Sequence, residues 1–237
     1  MAIALITGAS RGIGAASARA LARSGFDLLL VARSRPELEQ LATELRASGR
    51  RVEFATIDLA SSETIEAPLQ ELCLRLGEPP AVVVNNAGAA YTGPLAAMPL
   101  EHWQWLLQLN LTSIFQVCRV VVPLLRSGGG GRIINISSHA ARNAFPEWGA
   151  YCVSKAALAS FSRCLAEEER GHGITVSTLT LGAVNTPLWD SETVDSSFDR
   201  RAMLDPHRVA EAILYLAQQP ITQAVDDLTL MPAAGVL

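Results

Sequence analysis

Lysine is all but missing from this chain: eighteen arginines stand against a single lysine, Lys155, in 237 residues. Codon bias with one chance survivor explains the imbalance on its own. Lysine and arginine are not equivalent where a compact, titratable charge on a flexible stem is needed, so Lys155 is a position to test for chemistry. Charge is sparse as well, at 18% of residues, with 19 basic against 23 acidic side chains and a net charge of −4. That balance argues against a sequence-independent nucleic-acid binder, which needs a clustered basic surface. The four cysteines, Cys73, Cys118, Cys152 and Cys164, make no CxxC pair, and the four histidines make no HExxH. A metal site is therefore not expected, and a reduced, cytoplasmic chain is. The longest charge-free run, Pro79 to Leu100, holds four prolines and an Asn-Asn pair, which no lipid-facing helix carries together. The N-terminus lacks a basic segment, and Ala2–Ile6 is too short an apolar stretch for a signal peptide.

What the chain does have is apolar residues, at 49%, enough for a sizeable core. β-branched runs alternate with amphipathic stretches from end to end, the pattern of repeated βα units on a parallel sheet. Strands are expected at Ile3–Thr7, Phe26–Ala32, Val52–Ile57, Ala81–Val84, Arg132–Ser137, Ile174–Thr180 and Asp227–Leu230. Helices are expected near 12–24, 35–48, 62–76, 100–126, 148–170 and 206–218. The strands lack polar alternation, as they should when helices cover both faces. No linker or repeat interrupts the pattern, so residues 1–237 read as one domain, with the irregular stretch 187–205 as a candidate substrate lid.

Thr7-Gly8-Ala9-Ser10-Arg11-Gly12-Ile13-Gly14 joins the first strand to the first helix. Glycines there permit close backbone approach, and a helix N-terminus offers free N–H groups to an anion. The spacing is GxxxGxG rather than GxGxxG. The same residues contain GxSxG, the nucleophile elbow of hydrolases, in a strand–turn–helix setting. That elbow needs an oxyanion donor from an earlier strand-to-helix loop, and only nine residues precede Ser10. After the second strand, where a cofactor with a free 2′-hydroxyl meets an acidic residue, stand Ala32-Arg33-Ser34. Arg33 with Arg11 suits a 2′-phosphate, hence NADP(H) over NAD(H), although both are also ordinary surface arginines.

Tyr151 and Lys155 lie four residues apart on one helix face. A phenol has a pKa of about 10 and is a poor acid–base group unless a neighbouring ammonium lowers it. Ser138 follows the fifth strand at the carboxyl edge, where ligands bind in a parallel sheet, and Asn85-Asn86-Ala87-Gly88 holds the same edge after the fourth. Asn110 sits in mid-helix, where asparagine is unfavourable. Singly, each of these has a plain structural explanation.

TGASRGIG, Asp58, NNAG, Asn110, Ser138 and YCVSK at 151–155 follow one another in order. Together they resemble the short-chain dehydrogenase/reductase family, NADP-preferring type, over essentially the whole chain. The resemblance implies a Rossmann-type, doubly wound parallel sheet of about seven strands with helices on both faces, a three-layer αβα fold. It implies that Gly8, Ser10, Arg11, Gly12, Ile13 and Gly14 cradle pyrophosphate and ribose, and that Arg33 and Ser34 hold the 2′-phosphate. Asp58 and Leu59 would meet the adenine, and Asn85, Ala87 and Gly88 the ribose region. Val184 and Thr186 would hold the nicotinamide carboxamide. Tyr151 would be the acid–base, Ser138 would hydrogen-bond the substrate oxygen, and Asn110 would hold a water in a proton relay. Lys155 would bind the nicotinamide ribose and tune Tyr151.

Two departures stand out. Leu181-Gly182 replaces the family's Pro-Gly after the sixth strand, and Asp227–Pro232 lacks the Asp-Gly-Gly of acyl-carrier-protein reductases. The expected activity is NADPH-dependent reduction of a ketone or aldehyde, a carbonyl reductase, with 3-oxoacyl-thioester reduction as the alternative substrate class. A non-catalytic NADP(H) sensor and the hydrolase are the rivals from other classes. Tyr91, Ala140, Phe145, Trp148, Trp189 and Phe198 are candidates for an apolar substrate pocket, or for plain core. The resemblance also implies a homotetramer or homodimer built through helices 100–126 and 148–170. No nucleic-acid or membrane partner is expected.

Overall fold

The computed structural model describes residues 1–196 and 198–235. Seven strands form one parallel sheet: β1 (Ile3–Thr7), β2 (Asp27–Ala32), β3 (Val52–Thr56), β4 (Val82–Asn85), β5 (Gly131–Ser138), β6 (Ile174–Leu181) and β7 (Asp227–Leu230). Their spatial order is β3-β2-β1-β4-β5-β6-β7, so the chain reverses its direction of progress between β1 and β4. In such a sheet the crevice outside the carboxyl ends of β1 and β4 is where ligands bind.

The helices are α1 (Gly12–Arg23), α2 (Arg35–Ala47), α3 (Glu66–Leu74), α4 (Leu100–Leu107), α5 (Ser113–Ser127), α6 (Gly149–Glu169) and α7 (Pro206–Ala217). Alternate residues of β1 face opposite ways, and both sets are buried. Ala4 and Ile6 pack with α1, α2 and α7 through Leu21, Leu38 and Ile213. Ile3 and Leu5 pack with α3, α5 and α6 through Leu69, Val121 and Leu158. This double burial is why the strands read as unbroken apolar runs. The result is the three-layer Rossmann-type arrangement that the family resemblance implies. Small residues let α1 and α7 approach closely, with Ala16, Ala20 and Ala210 buried between them.

Two expected helices differ in detail. The stretch 62–76 divides into a 3₁₀ turn, Ser62–Thr64, and α3. Pro68 is the reason: it has no N–H for a bond to the carbonyl of Thr64, so a regular helix cannot run back past it. The stretch 100–126 is one helical run, but Gln108–Thr112 adopts a π turn between α4 and α5, with Asn110 at its centre. The run Leu100–Ser127 is long and apolar enough to cross a membrane, yet 56% of its most apolar window is buried inside the molecule, as in a core helix.

Candidate active site

One cavity of about 1250 Å³ opens at the carboxyl edge of the sheet. It exceeds the roughly 300–1,000 Å³ of a single small-ligand site, so two ligands fit side by side. Its first part is the glycine-rich turn. Gly8 has φ +64°, and a Cβ there would stand 2.9 Å from the Ala87 Cα; a Cβ on Gly14 would stand 2.1 Å from the Gly8 carbonyl oxygen. Only glycine permits this packing. The turn is stitched to the loop after β4 by the Thr7 hydroxyl, which accepts from the backbone N–H of Asn86 (3.0 Å) and Ala87 (3.1 Å). The Asn86 amide donates back to the carbonyls of Thr7 (3.0 Å) and Gly8 (3.2 Å). Sequence reasoning missed the role of Asn86 and of Thr7; the signal was the doubled asparagine facing a strand-end threonine.

The N-terminus of α1 has no side-chain cap, which leaves its first N–H groups available beside Ser10, Arg11, Gly12 and Ile13 in the cavity wall. Arg11 and Arg33, from two different strand–helix turns, reach the same end of that wall together with Ser34. Among the described residues neither arginine has an ion-pair partner. Ser34 starts α2 without capping it through its side chain. Glycine cradle, open N–H groups and two unpaired guanidiniums are the donor set a phosphorylated dinucleotide needs. Leu59 also lines this end, joined by Ile57, Trp105 and Leu109, which carried no sequence signal.

Asp58 and Asn85 do not line the cavity. The Asp58 carboxylate accepts from the Ala60 N–H (3.0 Å) in an exposed turn. Asn85 is turned into the core because it is the last residue of β4, and its Nδ2 donates to the Asn135 Oδ1 on β5 (2.8 Å). Asn135 in turn donates to the Ser162 hydroxyl on α6 (2.9 Å). These buried groups fasten the sheet to the helix that carries Tyr151. Asn86, Ala87, Gly88 and Ala89 are the residues of that loop exposed to the cavity.

Asn110 is fully buried and also outside the lining. Its Oδ1 accepts from the Ala89 N–H (2.9 Å), and its Nδ2 donates to the Ala89 carbonyl (2.9 Å) and the Ser154 hydroxyl (3.0 Å). The side chain is thus wholly committed to positioning the loop after β4 against α6. The asparagine that looks misplaced in a helix sits in a π turn and bonds outside it.

Ser138, Tyr151 and Lys155 meet in the cavity wall. Ser138 ends β5; its Oγ accepts from the Ala140 N–H (3.1 Å), and its O–H is turned to the Tyr151 phenol. Lys155 is 6% exposed, and its Nζ donates to the Ile136 carbonyl (3.0 Å) while standing 5.8 Å from the centre of the Tyr151 ring. Burial holds the ammonium down at a pKa of about 8. The phenol of Tyr151 is pushed above its ordinary value by burial, against a hydrogen bond from Ser138 that favours the phenolate. Burial is the largest influence on the phenol, and Lys155 is not among the others, so Tyr151 holds its proton at neutral pH.

Of the departures, Leu181 extends β6, paired with Ser138 on one side and Leu230 on the other. Gly182 lies against the edge of Pro232, 2.5 Å from where a Cβ would be, so close packing with the C-terminal segment demands it. Val184 and Thr186 line the cavity as expected. So do Ala140, Phe145, Trp148, Trp189 and Phe198, whereas Tyr91 packs on His102 (5.0 Å between ring centres) away from it. The ring of His139 is engaged by Asn143 (2.9 Å) rather than by Ser138. Among the described residues no three His, Cys, Asp or Glu side chains gather as a metal site.

Comparison with known proteins agrees with this geometry. Residues 2–196 match the family model described as short chain dehydrogenase. A glycine betaine reductase of Emericella nidulans is 32% identical over 97% of this chain, which spans 18% of that protein's length. A D-threitol dehydrogenase of Mycolicibacterium smegmatis is 32% identical, with 91% of this chain and 85% of that protein covered. An alcohol dehydrogenase structure from the archaeon Thermococcus sibiricus, complexed with 5-hydroxy-NADP, superposes with a TM-score of 0.89 at 31% identity, covering 98% of this chain and 97% of that one.

Proposed function

The chain belongs to the short-chain dehydrogenase family, an oxidoreductase acting between CH–OH and C=O groups, and from that premise we propose that it reduces a ketone or aldehyde with NADPH, Tyr151 donating the proton. The observation that carries this reading is the meeting of Ser138, Tyr151 and Lys155 at one end of a cavity whose other end is an anion cradle. Reduced nicotinamide, when bound, supplies the hydride. The chain's own residues do the rest. Tyr151, kept protonated by burial, gives its proton to the carbonyl oxygen as charge develops there. Ser138, whose O–H otherwise faces the Tyr151 phenol, turns it to the same oxygen when substrate enters and holds the carbonyl in line. Lys155 has N–H groups beyond the one given to Ile136, and its charge stabilises the phenolate left after proton transfer. Asn110 is a positioning residue that keeps Ala89 and Ser154 in place around this group.

Arg11, Arg33 and Ser34 support NADP(H) over NAD(H), and the Thermococcus sibiricus neighbour's cofactor analogue belongs to the same class. Phe115 on α5 and Val153 on α6 remain 48% and 43% exposed, which supports assembly of a homodimer or homotetramer through these helices; sedimentation would detect it. The decisive test follows NADPH oxidation across a panel of carbonyl compounds. Tyr151→Phe should lower kcat by about 10²–10⁴-fold while NADPH still binds. Turnover that survives the substitution would overturn the mechanism, and NADPH binding without turnover on any carbonyl would favour a cofactor sensor.

A further inference from the structure

We infer that the substrate end of the cavity is built for a neutral carbonyl compound whose larger substituent is an apolar ring, with Trp148, Trp189 and Phe198 as its specificity wall. The inference rests on the carbonyl-reductase reading and adds the substrate class. The chain is poor in aromatics, at 5%, yet two of its four tryptophans stand here. The rings form one unbroken array that starts at the reacting phenol. Trp148 meets Tyr151 at 5.7 Å and 74°, Trp189 meets Trp148 at 5.7 Å and 58°, and Phe198 meets Trp189 at 5.5 Å and 83°. Steeply tilted neighbours of this kind expose both faces and edges to a planar or cyclic guest.

The array is held in place before any substrate arrives. The Trp189 indole N–H donates to the Val184 carbonyl (2.7 Å). Arg200 clasps the same segment, donating to the Asn185 side chain (2.8 Å), the Thr186 carbonyl (2.9 Å) and Asp190 (2.9 Å). At the far side, the Thr193 hydroxyl donates to the Ala90 carbonyl (2.8 Å). Charge decides what the wall rejects. The cavity's arginines, Arg11 and Arg33, belong to the glycine-rich end, and Lys155, also in the wall, is tied to the Ile136 carbonyl 5.8 Å from the centre of the Tyr151 ring, away from Trp189 and Phe198. The arginines nearest the wall in sequence are paired with acidic groups: Arg142 with Asp227, Arg201 with Asp199, and Arg200, in the clasp, with Asp190. Glu192 is the acidic group at this end. A carboxylate, a phosphate or a phosphopantetheine thioester finds no cation there, and an unpaired anion is costly to desolvate.

The test measures kcat/KM with NADPH for benzaldehyde, propanal, 4-carboxybenzaldehyde and 4-(trimethylammonio)benzaldehyde, in the wild type and in Phe198→Ala, Trp189→Ala and Trp189→Phe. Benzaldehyde should exceed its carboxylated analogue by about 10-fold or more, and the trimethylammonio analogue should not exceed benzaldehyde. Phe198→Ala and Trp189→Ala should each lower the benzaldehyde-to-propanal ratio by about 10-fold, and Trp189→Phe, which keeps a ring but loses the indole bond, by no more than about 3-fold. The ratio is the readout because a general loss of fold or chemistry lowers both substrates equally. A preference for the carboxylated or the cationic aldehyde, or a ratio unmoved by Phe198→Ala, overturns the assignment while the reductase reading stands. Calorimetric titration of benzyl alcohol into the NADPH-saturated protein separates the reverse case. Binding weakened about 10-fold by Phe198→Ala, with no carbonyl reduced, keeps the ring site and overturns the reductase; binding untouched by it overturns the ring site.

Discussion

At the scale of single residues, Lys155 concentrates the tension between stability and chemistry. Its ammonium is buried, with the Ile136 carbonyl as its protein hydrogen-bond acceptor, and burial lowers its pKa from 10.5 to about 8. Between those two values the unfolded chain binds the proton and the folded chain does not, so the lysine's contribution to stability rises with pH from about 8 to about 10.5. Below pH 8 the fold carries a buried charge. Lys155→Met should therefore melt at or above the wild-type temperature at pH 7, with its advantage shrinking by pH 10, in scans without added cofactor. The same variant should lose turnover. In the wild type, kcat/KM for carbonyl reduction should fall as pH rises past about 8, because the charge that receives the phenolate is lost there. A profile flat from pH 7 to 10 would remove Lys155 from that role.

At the scale of elements, the site is held by polar groups inside the layers. The chain Asn85–Asn135–Ser162 joins β4, β5 and α6, and each of these side chains is nearly or fully buried. Asn135→Ala leaves the Asn85 Nδ2 with only the Cys118 sulfur at 3.9 Å, at about 1–3 kcal/mol, while the Ser162 hydroxyl keeps its bond to the Leu158 carbonyl (2.8 Å). Urea unfolding should read a loss of about 1–3 kcal/mol. Activity should fall with it, since α6 carries Tyr151 and Lys155. Element boundaries came close to the pattern in the sequence because the strands are buried on both faces and the helices on one. The two exceptions, the start of α3 and the π turn at Asn110, arise where one residue's hydrogen bonding overrides the periodic signal.

For the whole molecule, the order of the strands matters most. It brings the ends of β1, β2 and β4 to one crevice and so places Arg11 and Arg33 at a common end of the cavity. A ligand that binds only the folded state stabilises it by about 2.7 kcal/mol at a hundred times its dissociation constant. NADPH should accordingly raise the melting temperature more than NADH at equal concentration. Arg33→Ala should narrow that gap chiefly by weakening NADPH. An equal gain from both cofactors in the wild type would remove the 2′-phosphate from the account.

The fold class, most strand and helix spans, and the members of the Ser138, Tyr151 and Lys155 group were legible in the sequence. The spans depend on local periodicity, and the group on motifs that follow one another in order along the chain. Tertiary structure alone decided which side chains reach the cavity. Asn85 and Asp58 stand beside cavity residues in sequence yet turn away, one to a neighbouring strand and one to its own turn, because alternation and local hydrogen bonds set their direction. It also decided the protonation of Tyr151, since desolvation depends on everything packed around a group and not on the residue four positions along. The array of Trp148, Trp189 and Phe198 spans fifty positions of chain and exists only once the segment after β6 folds over the cavity.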